Sequence, residues 1–406
     1  MNEEYDVVIV GGGMVGASLA CCLANQPVRV AIIEAVPVKS SDQPSYDERG
    51  LALSLSSQRI LQSIAVWPQL QSKPVPVEHV HVSDQGHFGF ARLHASNLNL
   101  SALGYIVTAR ALGGALMQRI NTADNIDMLC PATVTEIVNS DRGVNIDVAT
   151  TDKPVSMRCR LLVVADGTHS SLRGQVGITA TIKDYKQTAI VTNISTEKNH
   201  DNTAYERFTA SGPIAFLPLS DKQCVSVFTV PTSQKQKFFH LSEIDYLQVL
   251  EKQFGRRLGH LLKAGQSKTY PIVQLNVDKQ FSERVVLLGN SAHTLHPNGA
   301  QGFNLALRDA AALAETLLDG VKSGEDLGSH SILNAYVEVR KDDQQRVMKF
   351  TDRTAQFFYN NHPVKVITRN LAMLLMDIIP GWKESFTLQA VGIHGRQPRN
   401  VRGLSL

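Results

Sequence analysis

Short, largely apolar runs recur at Val7–Val10, Val28–Ile33, Leu161–Ala165 and Val285–Leu288. A strand that is apolar on both faces belongs inside a parallel sheet, so each run reads as a buried parallel strand. Stretches of helical period lie between and after them: Met14–Ala24, Ser56–Leu70 ending near Pro68, Arg110–Ile120, Phe239–Leu262, Leu305–Leu318 and Arg340–Phe358. From Thr188 to Val230 the period shortens to that of strands, at Thr188–Ile194, Ala204–Phe208, Ile214–Leu219 and Cys224–Val230. Turn residues such as Ser220-Asp221 separate them, and this predicts an antiparallel sheet. Val80–Phe90 has the alternation and glycines of a strand pair, and Asp141–Gly143 makes a hairpin turn between Ala132–Val138 and Val144–Ala149.

The pattern predicts an α/β fold with three parts. A Rossmann-like domain with a parallel sheet takes residues 1–75, 100–182 and 270–345. An antiparallel-sheet substrate domain takes 76–99 and 183–269, and a C-terminal helical segment takes 346–406. In that last segment Val364–Ile379 is Met- and Leu-rich at helical spacing, and the tail sets Lys383, Arg396, Arg399 and Arg402 against the single acid Glu384. A terminal helix packed on the core is the plainer reading, and a surface meeting lipid or a partner the sharper one.

Composition changes this picture only by exclusion. With 43% hydrophobic and 19% charged residues the chain is neither disordered nor fibrous. A formal net charge of +3 makes no electrostatic case for nucleic acid. The five cysteines, Cys21, Cys22, Cys130, Cys159 and Cys224, are odd in number and lack CxxC spacing, so they read as reduced thiols of a cytoplasmic protein. The start is acidic where a signal peptide is basic, and no run reaches the roughly 18 apolar residues of a membrane span. The expectation is a cytoplasmic protein that is at most peripheral to an inner membrane.

Three of the apolar strands end in turns that carry chemistry. The first runs into Gly11-Gly-Gly13-Met-Val-Gly16: Gly11 permits the tight bend, Gly13 lets the backbone approach a pyrophosphate, and Gly16 lets the helix pack on the sheet. The helix N-terminus offers N–H groups to the phosphates, and Glu34, about twenty residues on, can accept the hydroxyls of an adenosine ribose. This stretch does not separate FAD from NAD. The second strand stops at Asp166-Gly167, ahead of a helix capped by Ser or Thr; Asp166 is placed for a ligand, or serves as a turn former. The third stops at Gly289-Asn290 and enters a loop holding His293, His296, Pro297, Gly299 and Gly302, followed by a helix whose N-terminus suits an anionic ring or oxyanion. Two histidines three apart hint at a metal, but no carboxylate or cysteine stands near them in sequence, so loop structure is the better account. Arg49 can reach a phosphate or a ring edge, and equally can be a solvated surface charge.

Taken together, these sites resemble the single-component FAD-dependent aromatic hydroxylases of the p-hydroxybenzoate hydroxylase group, over nearly the whole chain. Within that group, Val80–Phe90, Glu206–Leu219, Ala165–Ser170 and Gly289-Asn290 are similar to the ubiquinone-biosynthesis hydroxylases, in particular those acting on a polyprenylated methoxyphenol. The resemblance implies that Gly11, Gly13 and Gly16 hold the FAD pyrophosphate and Glu34 the ribose. It implies that Arg49 and Arg110 lie beside the flavin and its phosphates, and that Asp166 serves FAD and the nicotinamide cofactor. Pro297 through Asn304, with Gly299 and Gly302, then packs against the isoalloxazine ring. Asn290, with Gly289, departs from the family's usual Asp at the ribityl chain; an amide still accepts and donates there but carries no charge.

The cycle so implied has NAD(P)H reduce FAD, O₂ add at flavin C4a, and the hydroperoxide hydroxylate a phenol at its para carbon. No side chain is assigned as catalytic; His293 and His296 are candidates for a substrate base by location alone. The implied partners are a polyprenylated phenol, O₂, other ubiquinone-biosynthesis proteins and a peripheral membrane contact, with no metal and no nucleic acid. Two alternatives stand beside this: a sibling hydroxylase acting at another ring position, and a flavin-containing structural subunit of the biosynthetic complex.

Overall fold

The structure, a computed structural model, describes residues 3–37, 49–359, 363–393, 395 and 397–404. The approach to Arg49 from Ser45 and the tail residue Arg396 lie outside these residues.

The apolar runs form a parallel sheet in the order Val285–Leu287, Val155–Val164, Glu3–Val10, Val30–Ile33, Ile126–Leu129. Alternate side chains leave a strand on opposite faces, and both faces here are covered. Val7, Ile9 and Val163 pack under the helices Met14–Leu23 and Gln301–Ser323, while Val8, Val10 and Val164 pack under the hairpin Ala132–Ser140/Gly143–Thr150.

The second sheet has nine strands. From Lys268–Val277 it runs through Ala180–Thr196, Gln223–Pro231, Gly212–Ser220 and Thr203–Thr209 to the pair His79–Asp84 and Phe90–His94. One face buries Tyr205, Phe216 and Phe228 against the helix Glu243–Phe254. The other turns toward a separate three-stranded sheet, Gly50–Ser54, Gly104–Thr108 and Val75–Val77: Ala204 and Leu217 meet Val77 and Ile106, and a Cβ at Gly50 would lie 2.5 Å from Val225. A C-terminal pair of helices, Pro363–Ile378 and Pro380–Ala390, is anchored on this sheet's end by Arg369, whose guanidinium donates to Asp84 at 2.7 Å.

Several element bounds differ from the sequence reading. The helix expected to reach Leu70 spans Leu55–Ser63, because Ala65 adopts a left-handed backbone (φ 59°) and a separate short turn follows at Trp67–Gln69. The one expected to reach Leu262 ends at Gly255 (φ 88°), beyond which Leu261–Ala264 is a strand on Ala180–Thr196. The last two begin earlier, at Gln301 and His330. The boundaries placed near 182 and 270 fall inside two strands that pair with each other, and the one near 345 falls inside His330–Tyr359.

Candidate active site

The three signature turns sit in a row at the carboxyl edge of the parallel sheet. Gly11 donates its N–H to Ile33 O at 2.8 Å, Ala165 to Val10 O at 2.7 Å, and Leu288 to Val164 O at 2.9 Å, so each strand ends beside the next. In an open α/β sheet this edge is where ligands bind. The glycines are sterically required. Gly11 has φ 105°, and a Cβ there would lie 2.4 Å from Ala165 O; one at Gly16 would lie 2.0 Å from Gly11 O. Gly289 (φ 67°) presses the third turn onto Val15 of the first helix, where a Cβ would come within 3.0 Å. Arg173 closes the row, donating from the helix after Asp166 to Ser291 O at 3.0 Å.

The polar groups around this edge suit a dinucleotide. Gly13 caps the helix Met14–Leu23 with no side chain of its own, which leaves the N-terminal N–H groups to a ligand. Glu34 is buried and accepts from Gly12 N–H at 2.6 Å and Val36 N–H at 2.8 Å, which fixes its carboxylate beside the glycine loop with lone pairs to spare. Asp166 accepts from the Ser170 hydroxyl at 2.9 Å through one oxygen, while the other is buried with no partner. Burial raises its pKa, with Ser170 opposing. An orphaned buried acceptor at a ligand-binding edge fits a group that brings its own donor. Gly167 (φ 92°) and Gly302 have open space where a Cβ would stand.

The loop after Asn290 is shaped by consecutive left-handed residues, Gly299 (φ 64°) and Ala300 (φ 51°), which swing the chain into the helix Gln301–Ser323. Asn304, in its first turn, is buried and fully used. Its Oδ1 accepts from Ser54 N–H (2.8 Å) and Ser57 Oγ (2.7 Å), and its Nδ2 donates to Ala52 O and Ala300 O. It therefore binds the loop to the strand Gly50–Ser54 next to Arg49, and leaves no side-chain group for a ligand. Arg49 lies over the Tyr270 ring at 5.3 Å, Arg110 is exposed at the start of the helix Ala109–Asn121, and the Asn290 side chain is exposed above the third turn.

The two histidines go to different partners. His293 donates from Nε2 to Asp309 at 2.6 Å, inside a buried network with Arg340. His296 is buried edge-on to Tyr185, ring centroids 4.8 Å apart, and burial pushes its pKa down to about 4. Beside it, a small cavity lined by Phe208, Asn298 and Phe358 separates the loop from the second sheet; Phe208 and Phe358 stack at 3.5 Å. Both amide atoms of Asn298 are buried there without partners.

Glu206 escaped the sequence reading. It stands on the second sheet beside the Gly299 N–H, and burial pushes its pKa up to about 7 against that N–H. An acid in a strand called for its alternation gave no local signal of this role.

The FAD binding domain family matches residues 4–351 of the chain. Ubiquinone hydroxylase UbiL of Rhodospirillum rubrum is 32% identical over 100% of this chain and 94% of its own. The 3-demethoxyubiquinol 3-hydroxylase of Escherichia coli is 28% identical over 97% of this chain and 100% of its own. Among solved structures, the p-nitrophenol 4-monooxygenase PnpA of Pseudomonas putida superposes with a TM-score of 0.82 at 19% identity, covering 98% of this chain and 100% of that one.

Proposed function

The chain belongs to the FAD binding domain family and is an FAD-dependent aromatic-ring monooxygenase; from that premise we propose that it hydroxylates a polyprenylated methoxyphenol, para to the phenolic oxygen, in ubiquinone biosynthesis. The observation that carries this reading is the row of three turns, Gly11, Asp166 and Gly289, at one sheet edge with the Pro297–Gly302 loop closing it. The ubiquinone hydroxylases among its relatives support the pathway.

Gly11, Gly13 and Gly16 would hold the pyrophosphate and Glu34 the ribose. Arg49, Arg110, Asp166, Gly289, Asn290 and the backbone from Pro297 through Gly302 to Asn304 would hold the rest of FAD. Held by these residues, FAD would supply the redox chemistry that links NAD(P)H, O₂ and the ring. The chain's own part is to position and to exclude water. The Phe208–Phe358 stack closes the second sheet over the loop, and the helix Gln301–Ser323 directs its N-terminus at the edge where negative charge collects.

A lipid-tailed substrate also explains the C-terminal helices. Val364, Ile367, Leu371, Leu375 and Ile378 are exposed on Pro363–Ile378, with Trp382 just beyond. A stripe at this spacing suits contact with a membrane surface or with other proteins of the pathway. Among the described residues no helix is long and apolar enough to cross a membrane.

The test is substrate-dependent NAD(P)H oxidation by the purified holoprotein, with product analysis. A hydroxylated polyprenyl methoxyphenol is expected. Hydroxylation at another ring position would move the assignment to a sibling hydroxylase, and flavin reduction that yields only hydrogen peroxide would remove the proposed substrate.

A further inference from the structure

We propose that the Glu206 carboxylate takes the proton of the phenolic hydroxyl while the ring is hydroxylated, and so acts as the base of this site. The proposal rests on the aromatic-hydroxylase reading above.

The sheet register brings Glu206 to the right face. It lies opposite Ala215 on one side and Val82 on the other, and partners across a sheet project to the same face. Two residues away along its own strand, Ala204 packs against Val77 of the three-stranded sheet, and Phe208 stacks on Phe358 above the loop. Glu206 therefore looks into the space between the second sheet and the three-stranded sheet. There the Gly299 N–H of the ring-facing loop stands beside its carboxylate.

Its surroundings hold few charges. The facing positions Ala215, Pro213 and Leu217 on one neighbour, and Val80 and Val82 on the other, are apolar. Asp84, further along that face, is held by Arg369 at 2.7 Å and by Asn370 at 3.0 Å. On the loop, His296 is kept neutral by burial and Asn298 carries no charge, while Arg207 alternates to the opposite face. Among the described residues no ion pair holds this carboxylate charged, and burial pushes it up to about 7. That is the range in which a carboxylate serves as a base near neutral pH.

The chemistry balances without another protein group. The phenolic O–H bond breaks, its proton goes to a Glu206 oxygen, and the electron pair moves into the ring to make the para carbon nucleophilic. That carbon forms its C–O bond with one atom of O₂; the other atom leaves as water, with the electrons supplied by NAD(P)H. The para C–H proton then leaves to solvent as aromaticity returns, and Glu206 gives its proton back to the original oxygen.

Glu206→Gln separates a base from a prop. Glutamine still accepts from Gly299 N–H and from a phenol, but cannot take a proton. In the holoenzyme, wild-type kcat/KM is expected to rise with pH through about 7. The variant should lose that limb, with kcat down about 100-fold and KM changed less than about threefold. Infrared difference spectra of the two proteins, taken without substrate, should show a carboxyl band titrating near the same pH. A variant with wild-type kcat and an unchanged limb overturns the proposal and leaves the hydroxylase reading intact. If Glu206→Gln fails to retain flavin, Glu206→Asp decides: a retained but displaced limb supports the base, and an undisplaced one overturns it. A wild-type holoenzyme that hydroxylates no phenol at any pH removes both readings together.

Discussion

Asp309 is buried on the helix Gln301–Ser323 and Asp343 on the helix His330–Tyr359; Glu206 lies on the second sheet, beside the Gly299 N–H. Burial works against the charge of all three, yet the outcomes are opposite. Asp309 accepts from Arg340 and from His293, and Asp343 accepts from Arg308 at 2.8 Å, Arg340 at 2.6 Å and Arg346 at 2.6 Å. These partners outweigh desolvation and hold both acids below the usual carboxylate range. Among the described residues Glu206 has one backbone N–H to set against burial, and it rises to about 7. The number of partners, and not depth, decides which buried acid is scaffold and which is available for chemistry.

The largest test of this contrast is Arg340→Leu. It strips a guanidinium from both aspartates and leaves buried charge uncompensated, at a cost of about 3–5 kcal/mol in denaturant unfolding. A loss below about 1 kcal/mol would mean that the network does not carry its charges as drawn.

The next test concerns pH. Because the pKa of Glu206 is higher folded than unfolded, its contribution to stability is greatest below about 4.5 and falls away as pH rises to about 7. Glu206→Gln should therefore unfold later than wild type at pH 8, by about 1–2 kcal/mol after discounting for partial exposure, and show no gain near pH 4.5. For Asp309 and Asp343 the sign reverses: they stabilise above the ordinary carboxylate pKa, and that contribution disappears as pH falls through their lowered values. Thermal melts of both proteins across the acid range would show a plain crossing of trends, and parallel curves would undo the comparison. The smallest effect belongs to Asp127→Asn, since its pair with Arg29 is half exposed on both sides; less than about 0.5 kcal/mol is expected.

The turns were legible in sequence because their causes are local. Gly16 is needed by contacts within one strand-turn-helix and Gly11 by the left-handed bend that follows its strand, while the apolar runs that deliver Asp166 and Gly289 to the same edge declare themselves residue by residue. Helix ends were less legible: Ala65 takes a left-handed backbone no propensity foretells, and Leu261–Ala264 becomes a strand only because Ala180–Thr196 offers it an edge. Asn304 resembles a cofactor ligand in sequence, but its side chain is consumed by Ser54, Ser57 and Ala52, some 250 residues earlier. Glu206 depends on the most distant information, a register with Val82 and Ala215 and the arrival of Gly299 from another segment. Its neighbours in sequence say nothing of that isolation.

The measurement that tests the central claim most directly is a single turnover under ¹⁸O₂. The yellow holoprotein would be reduced anaerobically with NADPH or NADH, then mixed with labelled oxygen and a polyprenylated methoxyphenol. The account predicts one ¹⁸O atom in the product, on the ring carbon para to the original hydroxyl. Labelled hydrogen peroxide with unaltered phenol, or a protein that retains no flavin, would contradict it.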